Sequence, residues 1–183
     1  MNGIAALLGW NSTLGVLDYF AYIYKGYNVY LYFPIPVFVA YAISGLLFKI
    51  ISTKFRYKFL IITGTIGINF FLLYLLFISL VCKTNISLGF SLSLIGAFFL
   101  GLTNNLCQLS FFGMMNYFGM ETVSKFTIGT AVSGIMVVLL RAIITGIFGD
   151  NQDNTIPIII YFGLSILFYC FDLFLNLKLF KTS

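Results

Sequence analysis

The amino-acid sequence predicts an all-α fold, a polytopic bundle of six transmembrane helices forming one domain over residues 1–183. Three observations predict it. Apolar residues fill 61% of the positions and charged residues only 8%, whereas a soluble domain carries about 25% charged residues to wet its surface. Mean hydropathy is +1.05. The apolar residues also run unbroken over helical lengths, without the polar–apolar alternation of a membrane-barrel strand.

A span needs roughly 20 apolar residues to cross about 30 Å of hydrocarbon. Six segments meet this requirement, at residues 3–24, 29–52, 59–82, 87–118, 122–149 and 156–179. The first has no small-residue cleavage site followed by a soluble body, so it reads as a span and not as a removable signal peptide. Pro34 and Pro36 fall in the first turns of the second, and Pro157 opens the sixth. Proline is tolerated there because its missing N–H would be unpaired anyway. The fourth and fifth meet at residues 119–121, and neither a soluble domain nor a linker interrupts the series.

Orientation follows from the basic residues of the short connections. A cytoplasmic amino terminus collects Lys49, Lys54, Arg56, Lys58, Lys125, Lys178 and Lys181 inside, against Lys25, Lys83 and the acidic turn 150–153 outside. Both termini are therefore expected in the cytoplasm, with the plasma membrane as the default location. The net charge of +5 arises from those loops. No basic stripe with interleaved aromatics accompanies it, so nucleic acid is not an expected partner. The chain has no His, and Cys82, Cys107 and Cys170 lie in or at the ends of spans without a CxxC pair. Neither a metal site nor a cofactor is expected. No nucleophile–base pair is available to Asp18 or Asp172, so the chain reads as non-enzymatic, without catalytic residues.

Polar groups in hydrocarbon are costly and mark candidate functional positions. Asp18, Arg141 and Asp172 are the ionisable side chains within spans. At 1.5 Å per residue, Asp18 and Arg141 share a depth about 22 Å along the first and fifth spans, which predicts an ion pair. Asp172 has Lys125 or Lys178 as its prospective partner; the other reading for either Asp is simple hydration at an interface. The fourth span concentrates Thr103, Asn104, Asn105, Gln108 and Ser110. Asn104 and Gln108 lie one turn apart on one face, between Gly101 and Gly113, and serve either a polar solute or interhelical bonding. Trp10, Asn11, Leu14 and Asp18 make a stripe on the first span, and the mid-membrane indole is either core packing or a wall for a flat ligand. On the fifth span Thr130, Ser133, Val137, Arg141 and Thr145 share a side, and Gly129 and Ser133 are spaced for tight helix contact. Three polar stripes of this length suit a water-accessible cavity and a transport pathway.

The segment Leu-Leu-Gly-Trp-Asn-Ser-Thr at residues 7–13, followed by Asp-Tyr-Phe at 18–20, resembles the first-span signature of equilibrative nucleoside transporters. Residues 104–113 resemble that family's fourth span, with Gln108, Ser110 and Gly113 at the spacing Q-x-S-x-x-G. Gly129 and Gly134, then Arg141 and Thr145, are similar to its glycine-rich fifth span and Arg-x-x-x-Thr ending. The resemblance runs through essentially the whole chain. It implies a major-facilitator-like amino-terminal half and nucleosides, or nucleobases, as substrates. By matching positions it implies Trp10 beside the base, Gln108 bonding the base or ribose, Leu14 as a cavity residue and Arg141 in a supporting network; the residue reading adds Asn104 as a second substrate-binding amide and Asp18 and Asp172 as the other intramembrane charges. A flat base stacking on an indole and pairing with amides agrees with the residue chemistry.

Two departures qualify the resemblance. Gly9 stands where the family has Pro before the Trp, which re-aims the first helix. The family also has eleven spans, and this chain provides six. The expectation is a truncated or half-length transporter that needs a second helix bundle as partner, besides the lipid bilayer. The alternative is a non-transporting regulator or scaffold paralogue of a full-length carrier.

Overall fold

The computed structural model describes residues 2–82, 85–149 and 155–182, and among these it contains only helices and their connections. Lys83 and the acidic turn 150–153 lie outside the described residues. Helix α1 covers Asn2–Leu14, α2 Leu17–Ile23, α3 Val29–Tyr32 and α4 Pro34–Lys54; α5 covers Tyr57–Val81, α6 Ile86–Met115, α7 Met120–Phe148 and α8 Ile156–Thr182. Five helices are long and apolar enough to cross a membrane: Val29–Lys54, in which α3 runs into α4, then Tyr57–Val81, Ile86–Phe118, Met120–Phe148 and Ile156–Lys181.

Local chemistry sets these boundaries. The Asn28 side chain accepts from Leu31 N–H at 3.3 Å and caps α3, and Asn85 does the same for α6 through Leu88 N–H at 3.2 Å. Such caps satisfy donors that the first helical turn leaves open. Pro34 occupies the first position of α4. Between α6 and α7 a short 3-10 turn, Asn116–Phe118, ends on Gly119 at φ +90°, a left-handed conformation that only glycine adopts without strain.

The first expected span is the exception. It is two helices of 13 and 7 residues, broken at Gly15 and Val16, and neither piece is long enough to cross a bilayer alone. Gly15 N–H still bonds to the Asn11 carbonyl at 2.9 Å, but Val16 N–H reaches only to Thr13, three residues back, at 3.3 Å. Packing is tight at the break. A Cβ on Gly15 would run into the Tyr161 hydroxyl of α8 and come within 3.0 Å of Val137 Cγ1 on α7. The chain passes that point only where a side chain is missing. The stripe of Trp10, Asn11, Leu14 and Asp18 is thus not continuous, because Asp18 belongs to α2.

Helix α6 lies at the centre, packed against α4, α5 and α1, while α1 also packs on α7 and α8, and α8 on α5. Close approach comes from small residues, as is usual where lipid removes the hydrophobic drive between helices. Gly129 and Gly3 bring the backbones of α7 and α1 into contact, and Gly101 sits against the Val37 backbone of α4. The short α2 is held by aromatic packing: Phe20 stacks on Phe33 at 4.9 Å and meets Phe162 edge-on at 6.5 Å. Tyr24 Oη lies 2.6 Å from Ser93 Oγ on α6.

The outer faces are apolar. Helix α7 buries only Phe126, Ser133, Val137 and Ile144, and α4 only Val37, Ala40 and Ser44. Leu46 and Ile147 are 80% and 70% exposed. A surface of this composition is stable only against hydrocarbon. The molecule is therefore a helical bundle of the integral-membrane type.

Candidate functional site

The structure brings Asp18 and Arg141 together. Arg141 Nη2 on α7 donates to Asp18 Oδ2 at 2.6 Å, with the two side chains 20% and 36% exposed. Asp18 sits in the first turn of α2 because the break at Gly15 and Val16 restarts the helix there. The break and the ion pair are adjacent, so the discontinuity delivers the carboxylate to Arg141.

Below the break, Trp10 is half-buried and meets Phe38 of α4 edge-on, at 6.2 Å between ring centroids. Leu14 ends α1 and is 39% exposed. Between them Asn11 donates to Ser133 Oγ on α7 at 2.8 Å. The α1–α7 seam thus runs from the Gly3/Gly129 crossing, through this bond, to the Asp18/Arg141 pair.

The fourth-span cluster divides. Asn104 is fully buried and donates to Tyr41 Oη on α4 at 2.6 Å, and Asn105 donates to Ser44 Oγ at 2.7 Å and the Tyr41 carbonyl at 2.9 Å. Thr103 and Ser110 turn back on the Phe99 and Leu106 carbonyls of their own helix. These groups join or line helices and do not open on a cavity. Gln108 differs: it is half-buried and makes no hydrogen bond among the described residues. Asn104 Oδ1 is also unpartnered, and it faces Gly9. The long water-lined stripe expected on α6 thus reduces to one open amide.

Of the two expected lysines, Lys125 is paired with Glu121 at 2.7 Å on its own helix. Asp172 is fully buried, and its Oδ2 accepts from Asn176 at 2.9 Å while Oδ1 has no hydrogen-bond partner among the described residues. Burial also excludes the reading in which it is hydrated at an interface. Asn176 Oδ1 in turn accepts from Asn2 on α1 at 3.0 Å.

Sequence reasoning missed the α8 stripe to which Asp172 belongs. Ser165, Tyr169, Asp172 and Asn176 recur at helical spacing and all face α1 or their own helix. Ser165 Oγ lies 3.0 Å from Ser12 Oγ. The Tyr169 hydroxyl accepts from Gly9 N–H and donates to the Ala5 carbonyl at 2.7 Å. It thus ties α8 to two main-chain groups of α1 one turn apart. The stripe was readable from its 3.6-residue period, but its members are single polar residues scattered among aromatics.

An apolar groove of about 370 Å³ lies between α1, α7 and α8, lined by Leu8, Val137, Leu140, Ser165 and Phe168 among others. None of the predicted binding residues lines it.

These features define a class: an integral membrane bundle whose buried polar contacts concentrate around a discontinuous first helix. No protein-family model, curated protein or solved structure matches the chain.

Proposed function

We propose that the chain is a nucleoside transporter of the equilibrative type, with nucleobases as a related substrate class. In this reading it supplies one major-facilitator-like bundle of six membrane segments, the broken α1–α2 segment being the first, and both termini face the cytoplasm at the plasma membrane. A second bundle completes the carrier, because alternating access needs two bodies rocking about a midplane site. Trp10 packs against the base, Gln108 hydrogen-bonds its edge or the ribose, and Leu14 lines the cavity. Asn104 supports Gln108 from the α4 contact, and Asp18 and Arg141 hold the broken segment in place. Asp172 fastens α8 near the amino terminus of α1.

One observation carries the reading: the first apolar stretch is two helices, α1 and α2, and the break between them lies beside the Asp18/Arg141 ion pair. Discontinuous helices at mid-membrane are the arrangement that secondary transporters use to build solute sites. The open Gln108 and half-buried Trp10 are the groups such a site needs free.

The test is saturable binding and uptake of radiolabelled uridine and adenosine by the purified chain in lipid vesicles. Saturable binding that Trp10→Ala and Gln108→Ala both weaken supports the nucleoside reading. Binding without uptake identifies a bundle that waits for its partner. A folded protein with neither activity overturns the proposal and leaves the regulator or scaffold reading.

A further inference from the structure

One end of the bundle holds a recess whose chemistry differs from the rest of the surface. Arg56 and Tyr57 follow the end of α4, and Lys58 stands in the first turn of α5. Lys58 Nζ donates to the Phe180 carbonyl near the end of α8 at 3.3 Å and lies 5.3 Å from the Phe180 ring centroid. With the 3-10 turn at Asn116–Phe118, these residues enclose a cavity of about 530 Å³. Arg56, Tyr57, Lys58, Tyr117, Phe118 and Phe180 form most of its wall, and among the described residues no acidic side chain lines it.

Two cations therefore line a recess with no acidic side chain to meet them among the described residues. Arg56 makes no ion pair among the described residues, and Glu121, the acidic residue at the start of α7, is taken by Lys125. The rim is the opposite in character: Tyr117, Phe118 and Met120 are 80%, 68% and 85% exposed. With two exposed cations beside exposed aromatics, the recess sits where the ends of α5, α6 and α8 come together.

We propose that this recess binds one anionic phospholipid, with its phosphate on Arg56 and Lys58 and its acyl chains leaving past Tyr117 and Phe118. A guanidinium presents paired donors that fit phosphate oxygens, and basic pockets between helix ends are suited to acidic head groups. The exposed aromatic rim selects a lipid over a free anion, since free phosphate gains nothing from it. Two lining cations, with no acidic side chain among the described lining residues, select an acidic head group over a choline-bearing one, whose quaternary cation would face Arg56.

The experiment is native mass spectrometry of the full chain in detergent, titrated with phosphatidylglycerol, phosphatidylcholine or inorganic phosphate. One phosphatidylglycerol adduct is expected to persist at activation energies that strip phosphatidylcholine. Arg56→Gln should weaken that adduct about tenfold, the loss of one charge-assisted bond, and Arg56→Lys should restore part of it. Lys49→Gln removes a charge from a residue outside the recess and should change retention less than about twofold. Thermal melting of each variant reports folding separately, and Arg56 is exposed, so its replacement leaves the fold intact. Equal retention of the two lipids, an equal loss in Lys49→Gln, or occupancy by inorganic phosphate at the same concentration would each overturn the proposal.

Discussion

The Tyr169 hydroxyl reaches the main-chain ladder of α1, taking the Gly9 N–H and donating to the Ala5 carbonyl at 2.7 Å. Two residues 160 positions apart are thus joined through one buried hydroxyl. Removing the hydroxyl takes a buried bond from each of these main-chain groups. Tyr169→Phe should lower the unfolding free energy by about 1–3 kcal/mol in mixed micelles. Gly9→Ala places a methyl 2.9 Å from Tyr169 Oη and 3.0 Å from Ile68 Cγ2, so it should also destabilise. The two changes should be non-additive, since the first removes an atom that the second strikes. Strict additivity would show that the hydroxyl does not reach the ladder.

Arg141 and Asp18 make the second prediction. Their pair is partly open, so breaking it should fall between the ~1 kcal/mol of an exposed pair and the ~3–5 kcal/mol of a buried one. Asp18→Asn and Arg141→Met should each destabilise, and the double variant should lose less than the sum. An additive cycle would mean that the two charges act independently of each other.

Much of this seam was legible before the structure. The shared depth of Asp18 and Arg141 follows from rise per residue alone, and the Gly129/Ser133 spacing marks the face of α7 that meets α1. What was not legible was the break at Gly15. An apolar run of 22 residues at 3–24 has the composition of a continuous span, and the break lies against Tyr161 of α8, a residue more than 140 positions away. The division within the fourth-span cluster was hidden for the same reason. Asn104 and Asn105 are closed by Tyr41 and Ser44 of α4, whereas Gln108, with the same amide chemistry, meets no acceptor or donor among the described residues.

That division separates structure from function. Asn104→Ala removes the bond to Tyr41 and should destabilise by about 0.6–1.7 kcal/mol, the range for interhelical bonds in membranes. Gln108→Ala breaks no bond and should leave stability within about 0.5 kcal/mol. If the nucleoside reading is right, Gln108→Ala should nonetheless weaken uridine binding, and Asn104→Ala should do so only in step with its loss of fold. Melting curves and binding isotherms on the same preparations separate the two. Unchanged binding in Gln108→Ala would remove this residue from the site.

The crossing of α1 and α7 depends on two glycines without side chains to separate them. A Cβ on Gly129 would lie 3.0 Å from Gly3 Cα and 3.2 Å from Ile4 N, and one on Gly3 would strike the Phe126 carbonyl oxygen. These are backbone atoms, which cannot rotate away as a side chain would. Gly129→Ala should therefore destabilise by about 1–3 kcal/mol, although alanine is the better helix former. Gly163→Ala on α8 is the control, since nothing lies within 4 Å of its added methyl, and it should be neutral or stabilising by up to about 1 kcal/mol. The effect should also travel along the seam. Forcing the crossing apart with Gly129→Leu moves Ser133 from Asn11 and Arg141 from Asp18, so the coupling measured in the Asp18/Arg141 cycle should shrink in that background. Full coupling in Gly129→Leu would mean that the ion pair is positioned by α2 and its aromatic anchors alone, and not by the approach of α1 to α7.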